Sequence, residues 1–141
     1  MNRVMKFLTA TVSSGFLVSG PASAETVVVK ALGLKFEPMI AFAKPGDTIA
    51  WENMPTHDAV SMEGLIPEGA QGWQSPLGEN FMVTLEKEGV YIYKCSPHYG
   101  NAMLGAIVVG QPVNLDAVRE AAKGAQEQRV VKKLDKALAS Q

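Results

Sequence analysis

An all-β sandwich or barrel followed by two helices is the fold class that this sequence predicts. Three observations predict it. Between residues 26 and 109, short runs rich in β-branched and aromatic residues alternate with turns that contain Gly and Pro. No connection in that region carries a helical stretch long enough for a parallel crossover. After Gly110-Gln111-Pro112 the apolar residues change from a period of two to helical spacing.

The elements follow in order. Thr26 to Leu32 is a β-branched run and a first strand. Gly33 to Pro38 is expected to turn, with Phe36 packing inward, and Met39 to Ala43 forms a short second strand. Lys44-Pro45-Gly46-Asp47 is a turn with a mechanism, because Pro presets φ and Gly accepts positive φ. Thr48 to Asn53 is the next strand, with Ile49 and Trp51 on one face. Met54-Pro55-Thr56 breaks it, and His57 is expected to open a strand reaching Met62. Glu63 to Glu79, with its glycines and prolines, is a long functional loop. Asn80 to Glu86 alternates with Phe81, Val83 and Leu85 on one face, and Lys87-Glu88-Gly89 turns the chain. Val90 to Cys95 puts Tyr91, Tyr93 and Cys95 on one face, and Leu104 to Val109 is the last strand. Asn114 can cap a helix from Leu115 to about Lys123, which Gly124 stops. Ala125 to Ala139 is a second helix whose stripe of Val130, Leu134 and Leu138 is expected to dock on the sandwich.

The chain of 141 residues, with 47% apolar and 19% charged residues, is enough for one core. A net charge of −1 excludes a strongly basic nucleic-acid binder. Met1 to Lys6 carries Arg3 and Lys6, Phe7 to Val18 is mostly small and apolar, and Ala22-Ser23-Ala24 is a small-x-small site. That order reads as a signal peptide over residues 1–24 rather than an anchor, because the apolar run is shorter than the ~20 residues a membrane span needs. The expected organisation is therefore a leader (1–24), a β domain (25–112) and a helical extension (113–141), with no membrane span in the mature protein. Charge is uneven: residues 25–110 hold 5 basic and 10 acidic residues, a net of −5, and residues 111–141 hold 6 basic and 4 acidic, a net of +2.

Chemistry concentrates in Cys95-Ser96-Pro97-His98-Tyr99-Gly100-Asn101-Ala102-Met103, which has the pattern C-x2-H-x4-M. It holds the sole cysteine and one of two histidines, the other being His57. An unpaired cysteine in an exported chain implies a reactive thiol, an intermolecular bridge or a ligand. Two His and one Cys in a plane with a weak axial Met is the donor set of an electron-transfer copper centre. The expected ligands are His57, Cys95, His98 and Met103, with Met62 a competing axial candidate. Leu104 and Ile66 are expected to cover the site and exclude water. Zinc is the rival metal, although its structural sites usually take four Cys or His. A Cys95 nucleophile with His57 or His98 as base is the enzymatic alternative, and it leaves Met103 unexplained. Copper storage or delivery is the non-redox alternative, and Met39, Met54, Met62 and Met82 do not cluster in sequence to support it.

The run from Val90 to Met103 resembles the ligand loop of the blue copper proteins, the cupredoxins. Lys94-Cys95-Ser96-Pro97-His98-Tyr99 is most similar to the pseudoazurin branch. So are Phe36-Glu37-Pro38, Pro45-Gly46-Asp47-Thr48, Ile66-Pro67-Glu68-Gly69-Ala70, Glu79-Asn80 and the tail around Asn114-Leu115-Asp116-Ala117-Val118. The resemblance implies a Greek-key β-sandwich with one type 1 copper at one end. It implies a monomeric periplasmic electron carrier, not an enzyme. Its partners would be redox proteins reached through the His98 face: nitrite reductase, c-type cytochromes or a periplasmic dehydrogenase. By matching positions it assigns His57, Cys95 and His98 as equatorial ligands and Met103 as the axial one.

Two departures stand out. Asp58 occupies the position where the branch usually has Asn; either its carboxylate accepts from Ser96 and keeps two ligand segments tied, or it turns to solvent. The branch also typically surrounds its copper face with lysines. This β body has few, Lys35, Lys44, Lys87 and Lys94 among them, while Asp58, Glu63 and Glu68 lie near the expected site. A partner less acidic than a usual nitrite reductase, or a basic cytochrome or dehydrogenase, is the expectation from that pattern.

Overall fold

The computed structural model describes residues 23–141, so nearly all of the expected leader lies outside the described residues. Eight strands precede two helices. The strands are β1 (Thr26–Leu32), β2 (Lys35–Glu37), β3 (Ile40–Ala43), β4 (Asp47–Glu52), β5 (Val60–Ser61), β6 (Phe81–Leu85), β7 (Gly89–Lys94) and β8 (Leu104–Val109). The helices are α1 (Leu115–Ala121) and α2 (Ala125–Leu138), and a single 3-10 turn, Tyr99–Asn101, lies between β7 and β8.

The strands form two four-stranded sheets, ordered β2-β1-β4-β6 and β3-β8-β7-β5. Both are mixed, because β1 runs parallel to β4 and β3 runs parallel to β8. These parallel pairs form without a helical crossover. The chain reaches a parallel neighbour by crossing to the opposite sheet and returning, as β3 does between β2 and β4.

Two further local differences have physical reasons. The segment after Gly33 is a strand, not only a turn: a two-residue connection, Gly33-Leu34, folds β2 back on β1 with Leu32 opposite Lys35. Gly33 takes φ 60° there, which a tight hairpin demands. Phe36 is buried as expected. The strand expected from His57 is only Val60–Ser61, because Asn53 and Thr56 both take positive φ and turn the chain before it can extend. His57 is consequently held in a loop. Its N–H donates to the Met54 carbonyl at 2.9 Å, and its own carbonyl accepts from Gly78 N–H at 2.8 Å.

Alternation on β7 divides the interior. Tyr91, Tyr93 and Cys95 face the space between the sheets, where Trp51 packs 5.1 Å from Tyr93 and 5.4 Å from Trp73 by ring centroids. Val90 and Ile92 face outward, and with Leu104, Ala106 and Val108 of β8 they meet Val118, Val130, Val131 and Leu134 of the helices and Ala122 at the end of α1. The helices dock by their apolar stripe as expected, so β7 and β8 are buried on both faces. Each fully buried aliphatic side chain in such a layer contributes about 1.5–3 kcal/mol.

Asn114 stands at the N-cap of α1 but makes no cap hydrogen bond. Its amide spans the edge of β7 instead: Val90 N–H donates to Oδ1 at 2.6 Å, and Nδ2 donates to the Val90 carbonyl at 2.9 Å. β5 is too short to reach Val90, and this side chain supplies the missing strand partner. The long loop is likewise packed. Trp73 N–H donates to Ser61 Oγ at 2.8 Å, Ala59 N–H donates to Ser75 Oγ at 2.8 Å, and both Trp73 and Ser75 are buried.

Candidate metal centre

Cys95 follows the last residue of β7 and Met103 precedes the first residue of β8, so adjacent strands clamp both ends of the loop. Cys95 N–H donates to the Met103 carbonyl at 2.9 Å and continues the ladder by one rung. Between them the chain curls on itself. The His98 carbonyl accepts from Asn101 N–H at 3.0 Å and from Met103 N–H at 3.2 Å, and Ala102 takes φ 59° to bring the chain back. The spacing C-x2-H-x4-M is the length of that curl.

This geometry brings three of the four expected ligand residues to one point. Cys95 Sγ lies 3.6 Å from His57 Nδ1 and 3.4 Å from His98 Nδ1, and the two Nδ1 atoms are 3.1 Å apart. A point equidistant from all three corners is about 2.0 Å from each, the length of a metal–imidazole bond. The three donors therefore fit a single trigonally held ion. His57 and Cys95 are buried, and His98 is half-buried, which leaves its ring as the ligand-side group that meets solvent.

Met103 is fully buried in the same inter-sheet cluster as Cys95. Met62 packs instead against the cluster beneath the helices, on the other face of the sheet. That separation favours Met103 over Met62. Met54, whose carbonyl holds the His57 loop, also lies in the inner cluster, a placement its sequence position before a turn did not signal. Ile66 packs against the inner cluster as a cover would, whereas Leu104 belongs to the helix-side cluster, contrary to its expected role. Leu104 starts β8 in the register that points away from Cys95.

Electrostatics prepare the donors. Burial, and after it the neighbouring His98, hold the His57 imidazole below its ordinary pKa, so its lone pair is free at neutral pH. Burial pushes the Cys95 thiol up, opposed by the backbone N–H groups of Asp58 and His98 that face the sulfur. A cation in the site offsets that desolvation by displacing the thiol proton. Asp58 is buried and its Oδ1 accepts from Ser96 N–H at 2.5 Å, so it ties the His57 segment to the Cys95 loop rather than turning to solvent.

Sequence reasoning missed one partner of the loop. The Tyr99 hydroxyl donates to Glu127 Oε1 of α2 at 2.6 Å, and that carboxylate is buried. The signal was present: Glu127 is an acid on the apolar stripe of Val130 and Leu134, where an unbonded carboxylate would be costly.

Comparison with known proteins agrees with this geometry. Residues 23–110 match the family model of copper binding proteins, plastocyanin/azurin family. The chain is 36% identical to a pseudoazurin of Methylorubrum extorquens over 134 residues, covering 88% of this chain and 86% of that protein. It is 33% identical to a pseudoazurin of Paracoccus pantotrophus, covering 81% of this chain and 84% of the other. Among solved structures, native pseudoazurin from Hyphomicrobium denitrificans superposes with a TM-score of 0.70 at 29% identity, covering 79% of this chain and 97% of that one. With a two-sheet sandwich, a tail of two helices and a thiolate–imidazole triangle at one loop, the chain belongs to the plastocyanin/azurin family and, within it, to the pseudoazurins, type 1 blue copper cupredoxins that bind one copper and carry electrons rather than catalyse a reaction.

Proposed function

We propose that His57 Nδ1, Cys95 Sγ and His98 Nδ1 would hold one copper, with the Met103 thioether as a fourth, weaker donor. The observation that carries this reading is the triangle of donors with sides of 3.1, 3.4 and 3.6 Å. Bound there, copper supplies a one-electron couple. Thiolate suits the oxidised state, and imidazole and thioether suit the reduced one. The strand-clamped loop and the Asp58–Ser96 tie hold the donors in one arrangement for both states, which keeps reorganisation small. The half-buried His98 ring is the route by which electrons enter and leave.

The carrier works in the periplasm after removal of residues 1–24, as a monomer. It shuttles single electrons between redox proteins, with nitrite reductase, a c-type cytochrome or a dehydrogenase as the classes of partner. Storage or delivery of copper gains no support, since Met62 and Met103 lie in different clusters and Met82 is exposed. Addition of Cu(II) to the apoprotein tests the site. An intense visible colour, lost in Cys95→Ser and weakened in His57→Ala, is expected. No colour, with Cys95 still rapidly alkylated after copper addition, would overturn it. Sequencing of the exported protein tests the leader, with Glu25 as the expected first residue.

A further inference from the structure

Helix α2 presents one face that the fold does not use. Arg129, Lys132, Lys133 and Lys136 are all exposed and together line one shallow concavity. Their spacing of i, i+3, i+4 and i+7 stacks them along one side of the helix over about 10 Å. None pairs with a carboxylate among the described residues. The two acids of α2 are both occupied elsewhere: Glu127 turns inward to the Tyr99 hydroxyl, and Asp135 is held by Arg119 at 2.6 Å. The stripe is thus four cations with no ion-pair partner among the described residues.

The rest of the molecule makes that arrangement stand out. Residues 25–110 carry a net of −5, so the protein is electrically polarised, acidic in its body and basic along one helix. The stripe is also joined to the metal loop. Tyr99, the residue after His98, bonds Glu127 in the first turn of α2, and Lys94 Nζ lies 5.4 Å from the Tyr99 ring centroid. Arg129 follows Glu127 by two residues, so the positive track starts within the helix turn that touches the ligand loop, on the solvent side of that turn.

Resting on the electron-carrier reading above, we infer that the exposed face of α2 is the docking surface for an acidic redox protein, which it steers toward the His98 edge from the tail side. This revises the expectation, drawn from the acidic body, that the partner is less acidic than a usual nitrite reductase or is a basic cytochrome or dehydrogenase. Charge complementarity selects the occupant. An anionic bilayer fits less well, because the apolar face of α2 is already buried on the sheet and nothing is left to insert.

The test uses the copper-loaded protein and an acidic c-type cytochrome as probe, with stopped-flow electron-transfer rates read against ionic strength. The wild-type rate is expected to fall as salt rises. Lys132→Glu with Lys133→Glu is expected to lower the low-salt rate about tenfold and flatten its salt dependence, within the range that electrostatic steering commands. The equal charge change at Lys30→Glu with Lys35→Glu, both exposed on the opposite sheet, is expected to leave the rate within about twofold. Indifference of the rate to the tail reversal, or an equal loss from the control reversal, would overturn the proposal. So would tail-dependent binding to phosphatidylglycerol vesicles, or tail-dependent self-association in light scattering, with an unchanged cytochrome rate. Absence of a copper–thiolate band or of a reversible couple would instead overturn the electron-carrier reading itself.

Discussion

Asp58 is buried beside His57 and accepts the Ser96 N–H at 2.5 Å. An Asn in its place keeps the accepting oxygen and removes the carboxylate. A negative charge near the ion favours Cu(II), so Asp58→Asn is expected to raise the reduction potential by an amount on the order of tens of millivolts, measured by voltammetry. An unchanged or lower potential would contradict this. Gly105 is constrained by packing rather than by charge. It sits opposite Tyr93 in the β7–β8 register, and a Cβ there would come within 2.5 Å of the Tyr93 hydroxyl. Gly105→Ala is expected to cost about 1–3 kcal/mol in denaturant unfolding, the range for overpacking a core. At this scale the sequence was legible where chemistry is rare. A Cys and a His at fixed spacing, with one other His in the chain, pointed to the three donors that the fold brings together, and Asp58 was readable because it adjoins His57. Glu127 was not singled out, because an acid in a helix usually faces water and only the fold turned this one inward.

Among the elements, α2 is fastened to the ligand loop by the Tyr99–Glu127 hydrogen bond, and Glu127 Oε2 has no hydrogen-bond partner among the described residues. Tyr99→Phe leaves a buried carboxylate without its donor and is expected to destabilise the protein by about 1–3 kcal/mol. Tyr99→Phe combined with Glu127→Leu is expected to recover most of that loss, and a purely additive double-mutant cycle would contradict the coupling. The start of β1 is held differently. Asp47 accepts from the backbone N–H of Glu25 at 2.8 Å and of Lys44 at 2.7 Å, and these two donors hold its carboxyl below its ordinary pKa, the Glu25 contact being the larger cause. A depressed folded pKa contributes stability that is present above the unfolded pKa of about 4 and is lost as pH falls through the folded value. Asp47→Asn is therefore expected to flatten the acid limb of the stability–pH curve below pH ~4, read by thermal melts. Most elements were legible from alternation and turn chemistry. The His57 segment was misread because positive φ at Asn53 and Thr56, neither of them glycine, gave no warning of a turn.

For the whole molecule, the outer faces of β7 and β8 need the tail. Val90, Ile92, Leu104, Ala106 and Val108 are covered by the helices, and Asn114 completes the edge of β7. A chain ending at Pro112 exposes all five and is expected to aggregate or to melt far below the full chain, as read by dye binding and light scattering. A soluble monomer with an unchanged melting temperature would show the tail to be dispensable. The two-sheet topology was only half legible: strand runs announce a sandwich, but parallel partners reached through the opposite sheet leave no local trace. The gathering of His57 with Cys95 and His98 is likewise a long-range fact, implied by resemblance and realised by β5 pairing with β7.

The most direct test of the copper site is a combined optical and EPR spectrum of the copper-loaded chain beginning at Glu25. One Cu(II) per chain, an intense visible band from thiolate-to-copper charge transfer, and loss of that band in Cys95→Ser are expected. A colourless protein that binds copper with an unligated Cys95 would contradict a centre built on His57, Cys95 and His98.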